Sequence, residues 1–205
     1  KSFRQFNNLI KNQKYLNALI SNVGSTINLI KKRKFNSIII NYDEKSQNFF
    51  SWYQQLIAES LGKKNKGFLP VISNVPKDHH SLLQLYLDGP KDKLFYIFSS
   101  NEKQKENIIN NKASNGNNYL NQKRLCDIKN AQKNALIKVL KTKKIPFREF
   151  KITKKNEQIL SELFSYFMLE TALIGKLLKI NPFNQPAVEK IKIITKKFLT
   201  EKNQK

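Results

Sequence analysis

The sequence is poor in the residues that build metal sites, disulfides and phosphate-binding turns. Its 205 residues include one cysteine, two histidines and six glycines. Because Cys126 has no second cysteine with which to pair within the chain, a reducing, cytoplasmic compartment is favoured. The glycines form no Gly-rich turn between a strand and a helix, and no Gly-x-Ser-x-Gly elbow is present. Phosphate cradles and serine hydrolases of these types are therefore excluded.

Long apolar runs are also missing. No window approaches the roughly eighteen uncharged apolar residues that a membrane-spanning helix needs. No basic segment is followed by an apolar stretch of the secretory kind, so we expect neither a membrane partner nor secretion. The chain begins with Lys1 rather than methionine, which suggests processing or a piece of a longer protein.

Acidic residues are scarce. The chain has 15 of them against 38 lysines and arginines, which gives a formal net charge of +23. Such a charge makes nucleic acid a candidate partner. However, the lysines lie along almost every predicted helix and in both tails. The sequence contains no arginine-rich block and no repeated aromatic and basic platform of the kind that binds single strands. Solvated surface charge is favoured, and a basic nucleic-acid-binding module is kept as the alternative.

The apolar residues predict an α/β fold. Short β-branched or aromatic runs, typical of strands buried in a parallel sheet, alternate with segments of helical spacing. Such an order predicts a three-layer αβα domain, with helices on both faces of a parallel sheet. The predicted elements are helix 15–30, strand 35–42, helix 45–63 ending at Gly62, strand 68–73, helix 80–89 and strand 92–100.

The remaining sequence predicts a loop, a last strand and three further helices. Residues 101–118 are polar and rich in Asn and Lys, which is typical of a flexible loop. Segment 156–180 is apolar around most of its circumference, so we expect it to be deeply buried. The predicted elements are helix 119–142, edge strand 145–152, helix 156–180 and a helix from about 186. We assign 1–152 to one domain and 153–205 to a C-terminal helical segment.

Both histidines occur in Lys77-Asp78-His79-His80-Ser81, on a predicted turn before an apolar run. Zinc needs three or four converging ligands, but side chains of adjacent residues point apart. Cys126 has no partner motif, so no metal site is predicted.

A better set for chemistry lies on two predicted helix faces. Gln55 and Glu59 are four residues apart, while Gln185, Glu189 and Lys192 follow a helical spacing of four and then three. Together with His80, they offer a carboxylate, an imidazole and an ammonium group suited to proton transfer on a sugar. Each also has an ordinary interpretation as a solvated helix residue or a residue beside a helix cap.

Three blocks of the sequence resemble the glucose-6-phosphate isomerase family. "GKLLKINPFNQPAVEKIK" (175–192) resembles that family's C-terminal signature. "WYQQLIAESLGK" (52–63) resembles the helix with a Gln four residues before the Glu of an E-S-x-G-K stretch. "KDHHSLLQLYLDGPKDKLF" (77–95) resembles the block in which a catalytic His precedes a helix ending in Gly. The signature positions filled here are Gly175, Leu177, Leu178, Phe183, Asn184, Gln185, Ala187, Val188, Glu189 and Lys192.

The resemblance implies a sugar-isomerase (SIS-type) domain that interconverts glucose 6-phosphate and fructose 6-phosphate without metal or organic cofactor. Glu59 would carry the proton between C2 and C1 through a cis-enediol, and Lys192 would lie near the ring oxygen. His80 would assist ring opening in the neighbouring subunit of a homodimer. Gln55 and Gln185 would hold the sugar phosphate. His79 has no counterpart in the pattern and is interpreted as a turn residue.

Two family blocks are absent from the sequence: a Gly-Gly-Arg-Tyr-Ser stretch and a Ser/Thr-rich phosphate-binding loop. The resemblance therefore implies a C-terminal portion without the phosphate-binding domain, which we expect to lack significant activity alone. A non-catalytic sugar-phosphate-binding regulator is a further alternative. The presence of Glu59, His80 and Lys192 argues against it, since binding alone would not need all three.

Overall fold

The computed structural model describes residues 7, 10–100 and 118–201. The predicted loop 101–118 lies outside the described residues except for its last position. The helices are α1 (Gln13–Lys31), α2 (Gln47–Leu61), α3 (Lys77–Ser81), α4 (Leu83–Asp88), α5 (Leu125–Thr142), α6 (Glu157–Leu177) and α7 (Pro186–Glu201). The strands are β1 (Asn36–Asn41), β2 (Leu69–Asn74), β3 (Lys93–Ser100) and β4 (Phe147–Ile152). Single 3₁₀ turns occupy Glu44–Ser46 and Asn118–Leu120.

The four strands form one parallel sheet in the order β2-β1-β3-β4. In this register, Ile39 of β1 lies between Ile72 of β2 and Tyr96 of β3. The two central strands, β1 and β3, are buried almost throughout, because helices cover both of their faces. The predicted parallel sheet is confirmed, as is the position of β4 at its edge.

Helices pack on both faces, so the three-layer αβα architecture is confirmed. On one face, α1, α2 and α6 cover a core that includes Ile39 and Tyr96. On the other face, Tyr86 of α4 and Leu136 of α5 pack against Ile38 and other strand residues. Alternate residues of each strand thus supply the two cores, as the pleat requires. The division of the chain at residue 152 stays a prediction.

The helix predicted over 80–89 was wrong in its extent. Two short helices, α3 and α4, meet at Leu82, whose φ of −121° lies outside helical values. The Asp78 carboxylate accepts a bond from the backbone N–H of Asn74 at 2.8 Å, which helps to start α3 directly after β2. Both histidines consequently lie inside α3.

Two other helices differ from the prediction. Helix α5 begins at Leu125 rather than 119, since the Asp127 carboxylate accepts the backbone N–H of Arg124 at 3.3 Å and caps the helix there. Helix α6 was expected to be deeply buried, but Leu160, Met168 and Leu177 are exposed. Only the side of α6 that faces α1, α2 and the sheet is buried. Within the described ranges, no helix is long and apolar enough to cross a bilayer.

Candidate active site

Glu59 lies in the last turn of α2, where the chain turns sharply towards β2. The helix ends as expected at Gly62, whose N–H donates to the carbonyl of Ala58 at 3.2 Å. A Cβ at this position would lie 2.8 Å from that carbonyl oxygen, so only glycine fits without a shift. The turn leaves Gln55 and Glu59 on the outer face of the last two turns of α2.

The segment that follows α6 is held against this end of α2 by two lysines. Lys66 donates to the carbonyl of Leu178, and Lys63 donates to the carbonyl of Asn181, both at 2.7 Å. Gly175 permits the close approach of the same segment, since a Cβ there would lie 3.2 Å from Cβ of Pro182. The residues before α7 are thereby placed beside Glu59.

Glu59 and the two glutamines form one hydrogen-bonded cluster. Gln185 donates from Nε2 to Oε2 of Glu59 at 2.6 Å, and Gln55 donates from Nε2 to Oε1 at 2.9 Å. Each carboxylate oxygen thus has its own amide donor, which fixes the orientation of the half-buried Glu59 side chain. The cluster borders a cleft of about 330 Å³, between the end of α2 and residues 180–188. The structure therefore brings together three of the six residues selected from the sequence.

Lys63 is a cleft residue to which the sequence analysis gave no role. It lines the cleft beside Glu59, and its ammonium group also bonds to the carbonyl of Ser60 at 3.1 Å. Partial burial lowers the pKa of Lys63 from its ordinary value, while the charge of Glu59 acts in the opposite direction. Its place in the E-S-x-G-K stretch was the available signal, but that position could not by itself reveal the contact with Asn181.

His80 does not reach this cluster within one chain. Helix α2 runs back across the sheet, so Glu59 lies beyond the amino end of β2, whereas His80 follows the carboxyl end of β2. The six residues of that strand separate the two edges by about 20 Å. The exposed His80 cannot act on the same substrate molecule as Glu59 of its own chain.

Lys192 is also outside the cleft. It lies on the exposed helix α7 and donates to Oε1 of Glu189 at 2.8 Å. That pair confirms the predicted helical face shared by the two residues. The expected convergence of Lys192 with Gln55, Glu59 and Gln185 is not found in the described part of the chain, because only the first residues of α7 line the cleft and the exposed Lys192 lies beyond them.

The sequence suggested that His79 is a turn residue, but the structure places it in a helix. It lies in α3, half-buried, with Nε2 2.8 Å from the hydroxyl of Tyr42 and the two rings packed edge to face. Burial lowers the pKa of His79 from its ordinary value of 6.5. The residue therefore joins α3 to the end of β1 and has a structural role there.

A pH dependence of stability follows from this contact. Because the folded-state pKa of His79 lies below 6.5, the folded protein disfavours the proton that the unfolded chain binds. The contribution of His79 is present above pH 6.5 and is lost as the pH falls through the folded-state pKa. We expect His79→Gln to remove a slope of at most about 1.4 kcal/mol per pH unit below neutrality. Urea unfolding between pH 5 and 8 would measure it, with His80→Gln as the exposed control that should leave the slope intact.

The fold and the site define a class of α/β protein in which a cleft lies at the amino edge of a parallel sheet and is bordered by a hydrogen-bonded carboxylate. Among curated proteins, the chain is 34% identical over 190 residues to glucose-6-phosphate isomerase of Methanocaldococcus jannaschii, covering 93% of this chain and 46% of that protein. It is 33% identical over 168 residues to glucose-6-phosphate isomerase of Campylobacter jejuni, covering 80% of this chain and 41% of that protein. The chain belongs to the glucose-6-phosphate isomerase family. It spans less than half the length of these relatives.

Solved structures share this fold. A hypothetical protein from Thermus thermophilus has a TM-score of 0.81 at 26% identity, over 97% of this chain and 49% of that one. Glucose-6-phosphate isomerase from Chlamydia trachomatis has a TM-score of 0.65 over 83% of this chain and 36% of that one. Its 15% identity supports likeness of fold only. No family model matches the sequence.

Proposed function

We propose that this chain supplies the proton-transferring base of an enzyme that interconverts glucose 6-phosphate and fructose 6-phosphate. The observation that carries the proposal is the cluster of Gln55, Glu59 and Gln185 at the edge of a cleft of about 330 Å³. Relatives that bear the name of this isomerase have more than twice the matched length. The activity is therefore proposed for this chain acting with the polypeptide that corresponds to their unmatched part.

Glu59 is proposed to remove the C2 proton of the open-chain aldose. As that C–H bond breaks, its electrons form the C1–C2 double bond of a cis-enediol, and the C1 carbonyl oxygen gains a proton. Return of the proton from Glu59 to C1, with loss of a proton from the C2 hydroxyl, gives the ketose. A positioned carboxylate is suited to this transfer, and the reaction needs neither a metal nor an organic cofactor.

Gln55 and Gln185 are proposed to orient the base. Their side-chain N–H groups donate to the Glu59 oxygens, so in this arrangement they hold the carboxylate rather than a sugar phosphate. A donor on each oxygen restricts rotation of the carboxylate, which keeps one of its remaining lone pairs towards the cleft. The direct contact of either glutamine with substrate stays a prediction.

His80 is proposed to act in trans, in the site of a neighbouring subunit of a homodimer. The separation of about 20 Å across the sheet supports this arrangement, because His80 cannot serve its own Glu59. The cytoplasmic location that was expected from the single cysteine also stays a prediction.

The proposed function is tested with a chimera in which this chain replaces the 190 matched residues of the Methanocaldococcus jannaschii relative. Conversion of fructose 6-phosphate would be followed with a coupled dehydrogenase that detects glucose 6-phosphate. Saturable turnover is expected. A correctly folded chimera without turnover would contradict the proposed function.

Lys192 offers a more specific prediction. If its ammonium group stabilises oxygen charge during ring opening and enolisation, Lys192→Met should lower kcat of the chimera by about 10²-fold. Lys190→Met is the matched control, since it removes a lysine from the same exposed helix without removing a predicted site residue. Equal effects of the two substitutions would remove Lys192 from the mechanism.

A further inference from the structure

Lys63 directly follows the glycine that ends α2, and its backbone is fixed on both sides. Its N–H donates to the carbonyl of Leu61 at 2.9 Å, and its own carbonyl accepts the N–H of Lys66 at 2.9 Å. The next two residues, Lys64 and Asn65, have φ of 52° and 58°, in the left-handed region that turns a chain sharply. The side chain of Lys63 therefore starts from a defined point beside the cleft.

The ammonium group of Lys63 connects the two parts of the chain that form the Glu59 cluster. On one side it donates at 3.1 Å to the carbonyl of Ser60, the residue directly after Glu59. A cation is favoured there, because the last carbonyls of a helix carry partial negative charge. On the other side it donates to the carbonyl of Asn181 at 2.7 Å. Lys63 thus holds residue 181 at a fixed distance from the last turn of α2.

The segment from Asn181 to Gln185 transmits the position of its first residue to its last. The backbone N–H of Phe183 donates to Oδ1 of Asn181 at 2.9 Å, which makes the segment compact. The carbonyl of Gln185 accepts the N–H of Glu189 at 3.2 Å, in the first turn of α7. Since Gln185 is only four positions after Asn181, a shift at the Lys63 contact would displace its side chain.

These contacts close a ring around the base. Glu59 is joined through the chain to Ser60, Ser60 through a hydrogen bond to Lys63, and Lys63 through another to Asn181. The segment then leads to Gln185, which donates to Oε2 of Glu59 at 2.6 Å. Loss of the Lys63 ammonium group would open the ring on the side nearest the base.

Lys66 offers a comparison within the same turn. It also bonds to the segment after α6, through the carbonyl of Leu178 at 2.7 Å. Leu178 is the C-cap residue of α6 and lies seven positions before Gln185. Of the two lysines, both placed by the structure, Lys63 lines the cleft and Lys66 does not. The Lys66 bond therefore anchors the start of the segment, and the Lys63 bond anchors the part beside Glu59.

We propose that Lys63 is a positioning residue for the isomerisation, and that its ammonium group holds Gln185 against Glu59 so that the carboxylate keeps its orientation towards the cleft. The proposal rests on the proposed function, because it concerns the residue proposed there as the base. Without the bond from Gln185, only Gln55 would restrain the carboxylate, which could then rotate away from the substrate. Lys63 acts through Gln185 and does not touch the reacting atoms.

The kinetic test uses the chimera with the Methanocaldococcus jannaschii relative. Lys63→Met should lower kcat about tenfold, because a misplaced base reacts more slowly, and should leave KM within about twofold. Lys66→Met, the matched control, should change kcat less than about twofold. Lys63→Arg keeps a charged donor and should recover most of the loss. Lys63→Gln is uncharged and too short to reach both carbonyls, so it should reproduce the loss and serves if circular dichroism shows that Lys63→Met is misfolded.

A double-mutant cycle tests whether Lys63 acts through Gln185. Gln185→Leu removes the amide that Lys63 is proposed to hold. In that background, Lys63→Met should lower kcat by less than about twofold further, since effects that share one contact are not additive. Crystal structures of the chimera variants give a readout that needs no turnover. The contact between Gln185 and Glu59 should be lost in Lys63→Met and kept in Lys66→Met.

Three results would overturn the positioning role. They are a Lys63→Met chimera with parental kcat, equal losses from Lys63→Met and Lys66→Met, and a Lys63→Met effect that stays tenfold in the Gln185→Leu background. The last result would mean that Lys63 acts on the substrate or on Glu59 directly. If Lys63→Met broke the contact but the parent chimera had no turnover, the positioning role would stand and the proposed function would fail. If the parent chimera were active and Lys63→Met kept both the contact and kcat, only the positioning role would fail.

Discussion

Glu59→Gln should lower kcat of the chimera by about 10³-fold, which is within the range that a positioned general base contributes. Glutamine has nearly the same shape as glutamate and can still accept a bond from Gln185 or Gln55. It cannot take the proton from C2 of the sugar. The loss should therefore appear in kcat while the fold and the cleft are retained. Steady-state kinetics with fructose 6-phosphate would measure it.

The chain contains a matched control for this substitution. Gln158 donates to Oε1 of Glu162 at 3.2 Å on α6, so this pair repeats the spacing and the chemistry of Gln55 and Glu59. Glu162→Gln should leave kcat within about twofold, because Glu162 lies away from the cleft. If Glu59→Gln kept turnover within about threefold of the parent, Glu59 would not be the base.

Arg148→Met should destabilise the fold by about 3–5 kcal/mol, since it leaves a buried carboxylate without its cation. Glu170 is 2% exposed and accepts a bond from Nη1 of Arg148 at 2.6 Å. The same guanidinium donates to the carbonyl of Asn22 and the hydroxyl of Thr26, and it lies over the ring of Tyr96. The interaction thus joins β4, α6 and α1. Urea unfolding at neutral pH would measure the loss.

The loss should also depend on pH in a defined direction. Burial raises the pKa of Glu170, and Arg148 acts against that rise. Without Arg148, the pKa of Glu170 should rise further, so the folded state holds a proton that the unfolded chain releases. Stability is then lost as the pH rises through the folded-state pKa, and the deficit should narrow as the pH is lowered from about 7 to about 5.

Two further variants distinguish the effect of losing a buried ion pair from that of losing a solvent-exposed one. The double substitution Arg148→Met with Glu170→Leu should recover most of the stability, because neither charge remains buried. Asp88→Asn removes an exposed pair with Lys143, in which the N–O distance is 3.7 Å and the side chains of Asp88 and Lys143 are 67% and 42% exposed. A cost of no more than about 1 kcal/mol is expected there. If Arg148→Met proved as mild as Asp88→Asn, the buried network would contribute little to stability.

The sheet was predictable because its signal is local. Asn36–Asn41 and Lys93–Ser100 are buried on both faces, and each contains an unbroken apolar run, at 38–40 and 94–98, which makes the strands conspicuous. The break at Leu82 was not predictable, because helical spacing continues through it. It divides the segment into α3, in which Asp78 bonds to the backbone of Asn74 in the preceding strand, and α4.

The candidate site was predictable only in part. Helical spacing placed Gln55 beside Glu59, but the approach of Gln185 depends on contacts of Lys63 and Lys66 with carbonyls more than a hundred residues away. Such tertiary contacts leave no periodic pattern in a sequence. Only the resemblance to the isomerase family predicted that Gln185 and Glu59 belong to the same site. Spacing on α7 was also correct, yet it could not indicate that Lys192 would lie away from the cleft.

The position of Glu59 and His80 at opposite edges of the sheet has a genetic consequence under the proposed shared site. One gene encodes both residues, but each chain contributes them to different catalytic centres. A chain that has lost Glu59 and a chain that has lost His80 could then pair to form a dimer with one intact centre and one that lacks both groups. Alleles that are inactive when expressed singly would complement each other when expressed together.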